Sequence, residues 1–153
     1  MPTSNFYSGM PLARDEALRR DAAALARLCA DPNSRVLAVW RTRHQVTGTD
    51  APRPVWHSGA PALSLLAESE TWTLLGVAGG IAHFAVDVSH IEEPEAAPPL
   101  AGRGSFVDLR SIGPLLSRAE GSVMAYARGL LYWHARHRFC GVCGSATESI
   151  HGG

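Results

Sequence analysis

Apolar residues recur at helical spacing near the start of the chain, at Leu18, Ala22, Leu25 and Cys29, and Asp31-Pro32 ends the run. That spacing predicts one amphipathic helix. Arg35 to Trp40 is a short β-rich run that reads as a strand, paired across a turn with residues near Gln45 and Val46. Residues 48–61 carry Pro52, Pro54 and Pro61 and read as a loop, ahead of a short helix over 62–69. Two apolar runs, Thr71 to Val77 and Ile81 to Val88, flank Ala78-Gly79-Gly80, the composition of a tight hairpin. A second loop, long enough to move, follows over 89–104, with Pro94, Pro98, Pro99, Gly102 and Gly104. Phe106 to Ile112 then leads into the last helix. Ser117 and Glu120 have the spacing of a capping box at its start, and Val123, Ala127, Leu130 and His134 share one face. Arg136, His137 and Arg138 suit the negative end of a helix dipole, so the helix is expected to end near Arg136. Residues 1–11, polar and punctuated by Pro and Gly, read as a flexible arm ordered only where it docks.

These elements predict an α+β fold: a small, mainly antiparallel sheet flanked by helices, with a C-terminal helix. At 153 residues and 46% hydrophobic content, the chain suits one domain with a sizeable core and a short appendage. All 14 basic residues are arginine and balance 14 acidic ones, so no global field draws the chain to nucleic acid or to an anionic membrane. No apolar stretch approaches the roughly 18 residues of a membrane span, and the first twenty residues lack the apolar core of a signal peptide. The expectation is a cytoplasmic protein.

The chemistry concentrates at the far end, where Tyr132 to Gly144 read YWHARHRFCGVCG. Soft thiolate sulfur binds zinc strongly, and Cys140 and Cys143, three apart in a glycine-turned knuckle, can present both sulfurs to one ion. A zinc ribbon expects a second such pair about 15 to 20 residues on. Ten residues follow Cys143 and none is a cysteine, so the chain reads as ending inside a zinc ribbon, over 137–153. His134, His137, Cys140 and Cys143 could on paper be four local ligands. However, the histidines belong to a helix end, and ligands so dense rarely reach one tetrahedral ion without strain. A redox CxxC belongs at a helix N-terminus, where the dipole lowers the thiol pKa; this pair follows a C-terminus. Cys29 lies on an apolar helix face and reads as a small core residue.

Other residues carry less. Gly76, Gly79 and Gly80 fit a hairpin better than a phosphate cradle. His83 lies inside a strand and reads as packing, whereas His57, His90 and His151 fall in loops without companions. Pro94 divides Glu92 and Glu93 from Glu95, which makes them a solvated loop rather than a metal cluster. Asp108 and Arg110 stand where a loop meets a helix and read as a cap or ion pair.

FVDLR, the helix MAYARGLLYWHARHRFC and the knuckle CGVCG together resemble the NADH pyrophosphatase (NAD+ diphosphatase) family of the Nudix superfamily. GIAHFAVDVS is similar to that family's N-terminal hairpin strand, and the closing HGG to a Gly-Gly turn in mid-ribbon. The likeness covers roughly 35–153, and the last 50 residues carry the specific part. It implies a degenerate Nudix-like domain over 12–136, then a ribbon in which Cys140 and Cys143 hold structural zinc in the full-length parent, the site being incomplete or absent in this chain. A catalytic Nudix domain of the same polypeptide would follow. That domain's glutamates would hold Mg2+ or Mn2+ and cleave NADH or NAD+ to nicotinamide mononucleotide and AMP, or remove an NAD cap from RNA. No glutamate-dense Nudix helix occurs in this chain, so no catalytic or cofactor-binding residue is assigned to it. Its implied role is architectural, in orienting the catalytic domain and in a homodimer. A vestigial nucleotide site near Arg110 and the proline-rich loops is a further expectation to test. The rival is a stand-alone zinc-knuckle module binding protein or nucleic acid. Neutral charge and the absence of an interleaved aromatic and basic patch weigh against nucleic acid.

Overall fold

The computed structural model describes residues 5–153 and carries a mixed sheet with helices on both faces. Five strands run in the order β3 (Arg53–Pro54), β2 (Arg43–Thr47), β1 (Arg35–Trp40), β6 (Ile81–Asp87) and β5 (Trp72–Ala78). Two short strands branch from this path: β4 (Trp56–His57) pairs with β1, and β7 (Ser105–Val107) pairs with β2. All these pairings are antiparallel except β1 with β6, which is parallel and joins the two halves at the centre.

Alternation along the central strands sends side chains to two cores. Val36 and Ala38 of β1 and Phe84 and Val86 of β6 face one side, where α2 (Ala22–Ala30) and α3 (Ala60–Glu68) supply Leu25, Ala62 and Leu65. Leu37, Val39 and Ala85 face the other, against Val123, Ala127 and Leu131 of α5 (Arg118–Arg136). The capping box read from Ser117 and Glu120 is formed, with the Ser117 hydroxyl accepting from the Glu120 N–H. Of the predicted face of α5, Val123 and Ala127 are buried, while Leu130 and His134 are half-buried at its edge.

Several elements differ from the pattern reading. The first helix is two, α1 (Glu16–Arg20) and α2, because the Asp21 side chain accepts from the Ala24 N–H and starts a new helix where the first one ends. The proline-bearing stretch 48–61 holds β3 and β4; Pro54 is tolerated because β3 lies at the sheet edge. FVDLR divides into β7 and a single-turn helix, α4 (Leu109–Ile112). Asp108 Oδ1 accepts from the Arg110 N–H at 2.9 Å and caps that turn, which is the role expected of it. The second loop is held to the core: Leu100 is buried, Gln45 Nε2 donates to its carbonyl at 2.8 Å, and Trp40 Nε1 donates to the Ile91 carbonyl at 2.8 Å. Glu95 is exposed yet accepts from the Phe106 N–H at 2.8 Å, fastening the loop to β7.

The hairpin of β5 and β6 turns at Gly79 and Gly80, at φ 56° and 77°, values that favour glycine. Residues 5–11 lie along α5, where the Gly9 N–H donates to Ser122 Oγ at 2.9 Å and Phe6 seats against Gly121. The arm's residues 1–4 lie outside the described residues. Among the described residues no helix is long and apolar enough to cross a membrane.

Candidate metal centre

The metal-binding candidates form a small hairpin that starts where α5 stops. His137 ends the helix, its Nδ1–H donating to the Trp133 carbonyl at 2.8 Å while its ring stacks on Trp133 at 4.5 Å between centroids. The chain then turns back on itself. Phe139 bridges to Ala146, the Thr147 N–H donates to the Arg138 carbonyl at 2.9 Å, and the Cys140 N–H donates to the Ser145 carbonyl at 2.7 Å. At the tip, the Gly144 N–H donates to the Cys140 carbonyl at 2.9 Å, and Gly144 takes φ 72°, a left-handed value suited to glycine.

This turn sets Cys140 and Cys143 side by side. Cys143 Sγ lies 3.3 Å from Ser145 Oγ, whose hydroxyl can donate to the thiolate. That hydroxyl, helped by the Ser145 backbone and the Cys140 thiol, holds the Cys143 pKa below the ordinary thiol value. A thiol poised toward thiolate beside a second thiol is the donor chemistry zinc requires, so the pair fits as two ligands of a tetrahedral site. His134 and His137 do not converge on it; the His137 Nδ1 donates to the Trp133 carbonyl, and the His134 Nε2 is buried without a hydrogen-bond partner. Among the described residues no three His, Cys, Asp or Glu side chains converge on one point. Cys29 is half-buried on the first core, as its spacing suggested, and burial raises its pKa.

The hairpin returns to the sheet. The Gly152 carbonyl accepts from the Leu74 N–H at 2.7 Å and from Thr73 Oγ1 at 3.2 Å, and Arg19 reaches both it and the Leu74 carbonyl. HGG thus lies along the edge strand β5. Between hairpin and sheet runs a cleft of about 650 Å³, with Trp72, Trp133, Arg138 and Glu148 among its walls.

The remaining histidines divide by packing. His83 meets Trp56 edge-on at 5.0 Å and donates to the Ile81 carbonyl, in line with a packing role. His57, which the pattern places in a loop without companions, is instead buried in β4, with Nε2 2.8 Å from Gln45 Oε1. Because two prolines flank β4, its two-residue alternation is too short to show in the sequence. His44 is buried on the α5 side of β2, beside the Met124 backbone, and neither ring nitrogen reaches a partner in good hydrogen-bond geometry.

Comparison with known proteins places both regions. Residues 33–133 match the family described as NADH pyrophosphatase-like rudimentary NUDIX domain, and residues 135–153 match the NADH pyrophosphatase zinc ribbon domain. A NAD-capped RNA hydrolase of Schizosaccharomyces pombe is 38% identical over 73 residues, 46% of this chain and 19% of that protein. The human mitochondrial NAD(P)H pyrophosphatase NUDT13 is 32% identical over 81 residues, 53% of this chain and 22% of that protein. The human NAD-capped RNA hydrolase NUDT12 is 47% identical over 38 residues, 25% of this chain and 8% of that protein. The chain spans less than a quarter of the length of each of these relatives.

Proposed function

Because this chain belongs to the NADH pyrophosphatase family, with that family's rudimentary Nudix domain and zinc ribbon, we propose that it is the non-catalytic scaffold of a diphosphatase acting on NAD(H) or NAD-capped RNA. Cys140 and Cys143 supply two thiolates to a structural zinc whose other two ligands come from further polypeptide. Zinc, when bound, contributes folding free energy to the hairpin rather than reaction chemistry. The carboxylates that hold Mg2+ or Mn2+ for pyrophosphate cleavage belong to a C-terminal Nudix domain of the same protein, which this domain orients, within a homodimer.

What supports this reading is continuity: one helix, α5, ends the rudimentary Nudix region and leads without a linker into the CxxC hairpin. A rigid helix carries orientation from one body to the next, as a scaffold must. The 153-residue chain incubated with NADH and Mn2+ is expected to release no AMP above a no-protein control. AMP release that scales with chain concentration would place catalysis in these residues and sink the scaffold role.

A further inference from the structure

The helix wheel assembles what the linear sequence hides. Arg128, Tyr132 and Arg136 are successive i, i+4 positions of α5 and form one stripe, with the Arg136 guanidinium 5.7 Å from the Tyr132 ring centre. Tyr132 is 52% exposed although it is a large aromatic residue. Across a cleft of about 230 Å³ lined by Arg128 and Tyr132 stands the β1–β2 turn, which contributes Arg41 and Thr42. Behind the turn, Arg41 and Arg43 both lie over the Trp40 ring, at 4.5 and 5.9 Å from its centre.

The charge here is one-sided in a chain whose formal net charge is zero. Arg41, Arg43, Arg110, Arg128 and Arg136 make no ion pair among the described residues. Two carboxylates face the same region. Asp87 lines the cleft and accepts from the Ser89 N–H at 2.8 Å; Asp108 caps α4 and feels Arg128, Arg110 and Arg43 together. The balance remains strongly positive. The turn itself is unusual, with Arg41 at φ 47° and Thr42 at φ 68°, where such hairpins favour Asn-Gly. Those φ values cost backbone free energy, and the turn nevertheless sets Arg41 opposite Arg128.

We propose that this stripe and turn form a binding track for single-stranded RNA, with the arginines on successive phosphates and Tyr132 offering a face on which an unpaired base stacks. Interleaved cations and exposed rings suit a flexible strand, whose phosphates and base faces are both within reach; a duplex offers only the first. The choice of RNA over other polyanions rests on the reading above, in which capped RNA is a substrate. The track itself is separate from the zinc hairpin and needs no cap.

The test is fluorescence anisotropy of the 153-residue chain with a short, uncapped, unstructured RNA oligonucleotide at several salt concentrations. Binding is expected to weaken steeply as salt rises, as counterion release requires. Arg128→Glu and Arg41→Glu should each weaken it by about tenfold or more, and Tyr132→Ala by about fivefold or more, against an unchanged Arg27→Glu control on exposed α2. Circular dichroism confirms that each variant is folded. Equal binding of a duplex or of heparin, with Tyr132→Ala silent, would reduce the patch to general anion attraction and overturn the proposal. So would an absence of RNA binding, or preferred binding of an acidic peptide. Because no hydrolysis is read, these failures leave the diphosphatase reading standing, and AMP release by the chain alone would leave the track standing.

Discussion

The imidazole of His57 and the carboxamide of Gln45 meet at 2.8 Å with both side chains closed to solvent. The Leu100 carbonyl can only accept, so it fixes the amide nitrogen of Gln45 on its own side and turns Oε1 toward His57. His57 Nε2 therefore carries the proton, and its bare Nδ1 is buried without a donor. A second proton has no acceptor within this arrangement.

Acid should therefore unfold this domain through its histidines. Burial first, then Arg103, lowers the His57 pKa to about 4; burial first, then Arg128, lowers that of His44 to about 4, against opposing pulls from the Met124 backbone and Asp108. Above the ordinary value of 6.5 neither folded nor unfolded chain protonates these rings, and stability is full. Between 6.5 and about 4 the unfolded chain takes up protons that the folded chain refuses, so stability falls with pH. His83 and His134 are lowered too, chiefly by burial, and add to the same slope. The unfolding free energy from urea titration at pH 5 should lie below that at pH 7.5, by on the order of 1 to 2 kcal/mol for each of His44 and His57, with a lower midpoint. Equal midpoints would show that these rings are hydrated.

The cysteines should react in a set order. Cys143 is exposed with a lowered pKa, whereas Cys29 is half-buried with a raised one. In metal-free protein at neutral pH, iodoacetamide should modify Cys143 well before Cys29, as peptide mapping over time would reveal. Ser145→Ala removes the hydroxyl that favours the thiolate and should slow Cys143 while leaving Cys29 unchanged. An unaffected rate at Cys143 would refute that role for Ser145.

Cobalt(II) offers a direct count of sulfur ligands. Titrated into the reduced chain, it should give a thiolate charge-transfer band of two-sulfur intensity, removed by Cys140→Ser or Cys143→Ser. Amide exchange over 137–147 should slow on zinc addition, since metal binding orders such knuckles. A band of unchanged intensity in both variants would move the site elsewhere.

Two turn glycines should differ sharply in tolerance. A Cβ at Gly104, φ 139°, would fall far inside contact distance of the Val46 carbonyl, whereas one at Gly79, φ 56°, meets nothing within 4 Å. Gly104→Ala should cost more than about 2 kcal/mol by urea unfolding, because β7 must move off β2; Gly79→Ala should cost about 1 kcal/mol from backbone conformation alone. Equal losses would contradict the steric account.

The sequence was legible where a local signal and the tertiary outcome agree. The β5–β6 hairpin, the Ser117 capping box and the CxxC knuckle each rest on residues a few positions apart, and each formed. The break at Asp21 was hidden because the apolar spacing from Leu18 to Cys29 continues through it, and only the aspartate's bonding to Ala24 stops the helix. The Gln45–His57 contact was hidden because it joins two strands across a proline-bearing segment. The Arg128, Tyr132 and Arg136 stripe was present all along, but only at a spacing of four; read residue by residue, aromatic and basic positions do not alternate. The β1–β6 parallel pairing left no local trace, since nothing short-range specifies which strand lies beside the central one.

The docking of Gly152 on Leu74 has a geometric consequence for whatever polypeptide is joined to Gly153. The hairpin is clamped at two points, α5 on one side and the β5 edge on the other, so residues 137–153 are held at both ends. The further domain proposed above, if joined there, would search a small volume around the sheet rather than a sphere, and its local concentration against this surface would rise accordingly. Gly153 already presses on Thr73, where a side chain in its place would collide. Lengthening the segment before Gly152 would therefore act as a slackened tether, loosening any such domain from this one without altering a single contact inside either.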